Sequence, residues 1–466
     1  MNKLSLLLSA CIVVILLSCD KSDDQTTPPP SGGGGPDTAV GSTIDIRGII
    51  RTSQTWRKDF VFRLRGYVYV TDGATLTIEP GTKIVSNKDS AGVLVIYKDA
   101  KIIADGTSSS PIVFTSNESS PAPGDVGGVI IAGQARGNNN HSVMEGGIDP
   151  QFAAFGGTDD AHSSGTLRYV RIEYAGKAVN PGDEVNGLSL YGVGSGTIID
   201  YVEVVRGLDD AFEFFGGTVN CKHLIAYNSA DDDYDMDDGF RGMIQFAVSV
   251  KDPHFTDNKG TTGDVSNNFE VDNVNPANGL ALARAPITFP VLSNFTAIGP
   301  NDASGTSADY GWGMRWRRGC KFILANSIVM GGHKGGLRLQ EDSSIAYYVR
   351  GTSAFYNSFV HAVTNVVDVQ TGLTIPGIPS YDVASITAQT TGQYKSTIVT
   401  DPATVMLTDP FNNAAPNLKP AAGSPALTGA LFDVGALNND FFEKVTYRGA
   451  FDGTTDWTSG WAVWGK

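Results

Sequence analysis

Leu188-Ser189-Leu190-Tyr191, Phe212-Glu213-Phe214-Phe215, Tyr234-Asp235-Met236-Asp237, Phe269-Glu270-Val271-Asp272, Met314-Arg315-Trp316-Arg317 and Leu337-Arg338-Leu339-Gln340 can be laid on one another. Positions one and three are large and apolar in every copy, which is the period-two pattern of a half-buried strand. Position two reads Ser, Glu, Asp, Glu, Arg, Arg, at spacings of 24, 22, 35, 45 and 23 residues. The short spacings suit one turn of a parallel β-solenoid, and the long ones suit turns that carry loop insertions. The expected fold is therefore all-β, a parallel solenoid, with turns at 165–196, 197–220, 221–242, 243–286, 287–319 and 320–342.

Each turn also carries an earlier strand, such as Tyr169-Val170-Arg171-Ile172, Tyr201-Val202-Glu203-Val204 and Leu224-Ile225-Ala226-Tyr227. Asn228-Ser229 and Asn326-Ser327 close corners in similar places, where stacked asparagines would bond backbone groups of neighbouring turns. Ahead of these regular turns, residues 134–164 are polar and rich in Gly and Asn and read as an excursion from the solenoid.

Thr75-Leu76-Thr77-Ile78, Val93-Leu94-Val95-Ile96, Lys101-Ile102-Ile103-Ala104 and Pro111-Ile112-Val113-Phe114, broken by Gly turns, open the body. This series resembles the first turns of right-handed parallel β-helix proteins, the pectate-lyase-like group. The body as a whole, Leu167 to Ala277 above all, resembles a family of Bacteroidota cell-surface lipoproteins. The resemblance implies fold and location and carries no residue-level chemistry. Ala415 to Leu427 resembles the closing segment of many β-helix proteins, and the aromatic residues of Tyr447-Arg448-Gly449-Ala450-Phe451 and Trp457-Thr458-Ser459-Gly460-Trp461 are expected to cap the open end of the solenoid.

Residues 1–18 read as an export signal, with Lys3 before the apolar run Leu4 to Leu17. Leu16-Leu17-Ser18-Cys19 resembles a bacterial lipobox, which makes Cys19 the expected lipidation site. Asp20-Lys21-Ser22-Asp23-Asp24 resembles the acidic signal that sends such proteins to the outer face of the outer membrane. Residues 19–41 continue into a Pro/Gly-rich stretch that cannot bury a core and reads as a flexible tether. Residues 42–466 then form a single β-helix domain, with the cap at about 415–466. The implied location is the outer membrane, lipid-anchored and facing the cell exterior.

A net charge of −15 argues against a nucleic-acid backbone as partner. Of the four cysteines, Cys221 and Cys320 fall about 14 Å apart if they open turns three levels apart. That is too far for a disulfide, so two buried free thiols are expected. The six histidines show no metal-ligand spacing; His333 and Lys334, near the arginine end of the repeat, are the one pair to test, and His223 reads as a core or turn residue.

The chemistry is expected on the outward face of the repeated strands. Side chains alternate along a strand, so position two, position four and the residue before position one should point out together. Glu213, Asp235 and Glu270 would then form a row beside Asp233, Asp237 and Asp272. Like charges ~5 Å apart cost about 3 kcal/mol at an effective dielectric of 20. Arginines 315, 317 and 338 folding across, carboxylates that stay protonated, or a hard cation such as Ca²⁺ would each relieve this. Asp233 to Gly239 does not fit an EF-hand loop, because Asp238 stands where Gly is needed and Ile244 where Glu is needed, so a cation site would be built across turns.

Two functional readings follow. In the first, the face binds without catalysis: Tyr191 and Phe215 stand outward beside the acids, and with Arg315, Arg317 and Arg338 they hold a glycan or another extracellular ligand, or present it to an outer-membrane transporter. In the second, the chain is a polysaccharide lyase, with Ca²⁺ on Glu213, Asp235 and Glu270 and Arg315 or Arg338 as base. A glycoside hydrolase working through Asp210, Asp232 and Asp235 is a variant of that second reading. A purely structural or adhesive role is the third possibility.

Overall fold

A computed structural model describes residues 41–180, 183–257 and 264–466. The export signal, Cys19 and the tether up to residue 40 lie outside these residues. The described chain winds 26 mutually paired strands into a right-handed parallel β-helix. No helix among the described residues is long and apolar enough to cross a membrane.

Each full coil lays down three strands, one on each of three faces. In the early coils they are separate, as in Thr75–Ile78, Lys83–Ser86 and Val93–Ile96. In the later, regular coils a single long strand such as Ile198–Val205 serves the first two faces, and a short strand such as Phe212–Phe215 serves the third. The long strands bend because each contains a left-handed residue: Tyr169, Tyr201, His223, Phe246 and Asn294 all have φ between 49° and 61°. That residue breaks the alternation, so Val170, Val202, Leu224, Ala247 and Phe295 are in register. The four-residue windows read from sequence on this strand run one place out for Tyr169 and Tyr201.

On the third face the register is the one the repeat implies: Ser189, Glu213, Asp235, Glu270, Arg315 and Arg338 pair in succession. Asp368 extends the row by one coil. Positions one and three point inward and are buried. Their rings stack along the axis, Phe212 on Tyr234 at 5.4 Å and Tyr234 on Phe269 at 5.6 Å between centroids. Stacking rings of like shape at the strand spacing buries large apolar areas without voids. Gly165, where the chain re-enters the helix after the excursion, has φ +114° and a Cβ there would lie 1.8 Å from the Ile102 carbonyl oxygen, so only glycine fits.

The excursion folds back onto the third face. Met144, Ile148, Phe152 and Ala153 pack with Tyr69, Val95, Ile130, Tyr191 and Phe215 in a second apolar cluster outside the barrel. The last coil is closed by helix Val383–Gly392, whose Ile386 and Thr390 are buried beside Tyr348 and Tyr394. Trp457 and Trp461 do not cap the end, contrary to expectation. The C-terminal segment runs back along the side of the helix, where Trp461 meets Tyr169 and Tyr201 edge-on at 5.7 and 5.9 Å. Lys466 reaches Glu173 at 2.6 Å and the Val463 amide donates to Glu203. The left-handed corner presents the aromatic row Tyr169–Tyr201–His223, stacked at 4.4 and 4.1 Å, and the strap of tryptophans covers it.

The asparagines are also placed differently from the expectation. Asn228 and Asn326 lie in different corner rows, and both serve the C-terminal segment: Asn228 exchanges amide bonds with Asn413, and Asn326 holds the backbone of Leu431 at both ends. Cys221 and Cys320 are buried and free, as the spacing implied.

Candidate functional site

The outward face of the third strand column changes character at Glu270. On the C-terminal side every acid has an arginine. Arg315 donates to Glu270 at 2.8 Å, to Asp264 at 3.1 Å and to Gln340 at 2.8 Å. Arg317 donates to Glu270 and, at 2.8 Å, to Asp272, which also accepts from Arg318 at 2.8 Å. Arg338 pairs with Asp368. Burial works against the charge on Arg317, but the Asp272 and Glu270 carboxylates outweigh it and raise its pKa further. Trp312 has two guanidiniums against its ring, those of Arg315 and Arg338, each 5.3 Å from its centre, while its Nε1 donates to Asp368.

These contacts engage the arginines that sequence offered as bases. An arginine gives up its proton only if its surroundings disfavour the cation, and Arg315 and Arg338 are each bound to carboxylates. Arg315, Arg317 and Arg338 hold the face together through these contacts.

On the N-terminal side the pattern changes. Asp210, Glu213 and Asp235 bring carboxylate oxygens within 4.8 Å of one another, and Asp232, Asp235 and Glu270 do the same on the next level. Among the described residues no ion pair reaches Asp210, Glu213 or Asp235. Glu213 accepts from the Asn186 amide, and Asp210 accepts from the backbone N–H of Asp232 at 2.8 Å. One oxygen of Asp235, Oδ1, is buried with no hydrogen-bond partner. Burial, then the neighbouring carboxylates, pushes Asp210, Glu213, Asp235 and Asp237 well above the usual carboxylate range. Glu270 is raised by burial and drawn back by Arg317 and Arg315.

Two sequence expectations fail here. Asp233 does not join the outward row: it turns to a buried corner, where Lys251 stands 3.1 Å away and Ser249 and Asn268 donate to it. Burial raises its pKa to about 6, with Lys251 pulling the other way. Tyr191 and Phe215 do point away from the barrel, but they stack on each other at 4.0 Å beneath the excursion and are 1% and 0% exposed. They are a second core and offer no sugar ring a surface. Asp232, a hydrolase candidate, is buried and accepts from the Asn267 backbone. His333 and Lys334 lie beside Trp312 at the arginine end, without a carboxylate ion pair among the described residues.

The site residue missed from sequence is His141. The excursion brings it against Asp237 and against Asp238, which lies 97 positions further along the chain. No linear spacing could have shown this. The available signal was a histidine within a polar loop that precedes an acid-rich turn.

A family model described as a pectate-lyase like beta helix domain matches residues 48–403. No curated protein and no solved structure matches the chain significantly.

Proposed function

Because the chain belongs to the pectate-lyase-like β-helix family, we propose that it has a carbohydrate-related role as a binding protein whose third face takes an acidic glycan through a hard cation. Ca²⁺ would sit among Asp210, Glu213 and Asp235, whose converging oxygens suit a cation that takes six to eight oxygen ligands. A uronate carboxylate and water would complete its coordination. The Trp312 ring with Arg338, His333 and Lys334 lies about 14 Å further along the same face, three strand spacings from Asp235, and offers a second contact to an extended chain.

The observation that carries this reading is the buried Oδ1 of Asp235, which among the described residues has no hydrogen-bond partner and belongs to a group of three carboxylates with no arginine ion pair. A buried acceptor left unsatisfied costs about 1–3 kcal/mol, and a bound cation would recover it. The engagement of Arg315 and Arg338 in ion pairs favours binding over elimination. In this reading Cys19 carries lipid and the tether holds the β-helix outside the outer membrane, where it could pass its ligand to a transporter.

Thermal unfolding of the purified protein with Ca²⁺ and with chelator is the first test, followed by titration with polygalacturonate. The reading expects a higher melting temperature with Ca²⁺, loss of that rise in Asp235→Asn, and polyuronate binding without turnover. An unchanged melting temperature removes the cation and with it the glycan bridge. Turnover abolished by Arg315→Ala in a folded protein would restore the lyase.

A further inference from the structure

We propose that a divalent transition-metal ion, with zinc as the representative, binds where the excursion meets the third coil, held by His141 Nδ1 and the carboxylates of Asp237 and Asp238. The site is separate from the calcium position and does not depend on the glycan reading.

Its geometry is already close to a coordination sphere. His141 Nδ1 lies 3.1 Å from Asp238 Oδ1 and 3.6 Å from Asp237 Oδ2. Ligand atoms bound tetrahedrally at ~2.0–2.1 Å from zinc sit about 3.4 Å apart, and the observed separations bracket that value. All three ligand atoms fall within 4.8 Å of one another. The other ring nitrogen, Nε2, lies 3.2 Å from Glu145 Oε1. A carboxylate this close to the far nitrogen favours the tautomer protonated there, which turns Nδ1 to a ligand's role and is the usual support of a metal-bound imidazole. The Phe215 ring, its centre 5.2 Å from that of the imidazole and its plane nearly perpendicular, holds the imidazole in place.

A second, independent feature points to a missing partner. Asp237 is 8% exposed, and its Oδ1 is buried with no hydrogen-bond partner. Its Oδ2 has only distant neighbours, Asn140 Nδ2 at 3.5 Å and the His141 ring at 3.6 Å. Asp238 also accepts from the His141 backbone N–H at 3.2 Å, so the loop is docked before an ion arrives. The imidazole is 24% exposed, which gives an ion and its remaining water ligands a way in. One imidazole with two carboxylates suits zinc or manganese; calcium prefers oxygen alone.

The competing account is an imidazolium clamp. If both ring nitrogens carry protons, they donate to Asp238 and Glu145, with Asp237 and the more distant Asp272 adding negative charge. Calorimetric titration of the chelator-treated protein with ZnCl₂ at pH 7.5, and the visible spectrum with Co²⁺, separate the two. The metal site expects one tight Zn²⁺ per chain, weakened at least tenfold in His141→Ala and in Asp237→Asn, and about tenfold in Glu145→Gln. Asp235→Asn should leave it within about threefold. Asp237→Asn removes a charge from a repelling group, so its metal-free melting temperature should not fall, which shows that it folds. The proposal is overturned if no stoichiometric zinc binds, or if binding survives in both ligand variants. It is also overturned if zinc has no effect while the metal-free protein loses stability, as pH rises, through His141 alone.

Discussion

Replacing Arg317 by methionine tests whether the arginine half of the face is structural. Arg317 is 8% exposed and bonds both Glu270 and Asp272, themselves 4% and 6% exposed. Methionine keeps most of the volume and removes the charge. Asp272 follows directly on strand Phe269–Val271, two residues from Glu270 and ~7 Å away in extended chain. At an effective dielectric of 20 their repulsion is about 2 kcal/mol. Each also loses a charge-assisted bond, although Arg315 still reaches Glu270 and Arg318 still reaches Asp272, so a further 1–2 kcal/mol is reasonable. The expected loss is about 3–4 kcal/mol, at the lower end for breaking a buried ion pair. Equilibrium urea unfolding at pH 7 measures it, with an unchanged m-value as the check that only stability moved. The double variant Glu270→Gln/Arg317→Met should recover at least about 1 kcal/mol, because it removes one stranded charge. A loss below about 1 kcal/mol for the single variant would refute the argument and place the arginines among ordinary surface charges.

The unpaired acids should set the pH dependence. Asp210, Glu213, Asp235 and Asp237 have pKa values raised on folding, so the folded state holds more protons than the unfolded one. Stability is then complete below the unfolded carboxylate value of about 4 and falls as pH climbs through the raised values, by up to ~1.4 kcal/mol per pH unit for each proton. Melting temperatures followed from pH 4 to pH 8 should decline, and Ca²⁺ should flatten the decline. Tyr191→Ala should cost about 3–5 kcal/mol and make the 134–164 segment more sensitive to limited proteolysis, because the stacked pair under it is lost. Trp461→Ala, at a side chain 1% exposed, should cost a similar amount in urea unfolding and release the strap from Tyr169 and Tyr201; a loss under 1 kcal/mol would mean that the strap is dispensable.

The strand repeat, its register, the mixed acidic and arginine face, the free thiols and the excursion were all legible in the chain. Period-two alternation and a repeat length both report on local geometry, and a solenoid stacks each turn only on its neighbours, so local pattern and tertiary contact coincide. Where one coil follows the last at short spacing, Glu213 above Asp235, reading the sequence amounts to reading the register.

What escaped the sequence depends on segments that leave the coil and return to it. Alternation places Tyr191 and Phe215 outside the barrel, but only the folded excursion decides that outside is not solvent. Asp233 shares the parity of Asp235, yet the corner before the strand turns it toward Lys251. The tryptophans cover the side of the helix and not its end, because the target of a long C-terminal segment is set by a side-on aromatic row that left-handed corners create. His141 reaches Asp238 across 97 residues. Sequence determined the column of strands and the order of charges along it, since those follow from short-range periodicity. Which charges are paired, which are covered and which are left facing one another was decided by chain returning from far away, and that carries no period to read.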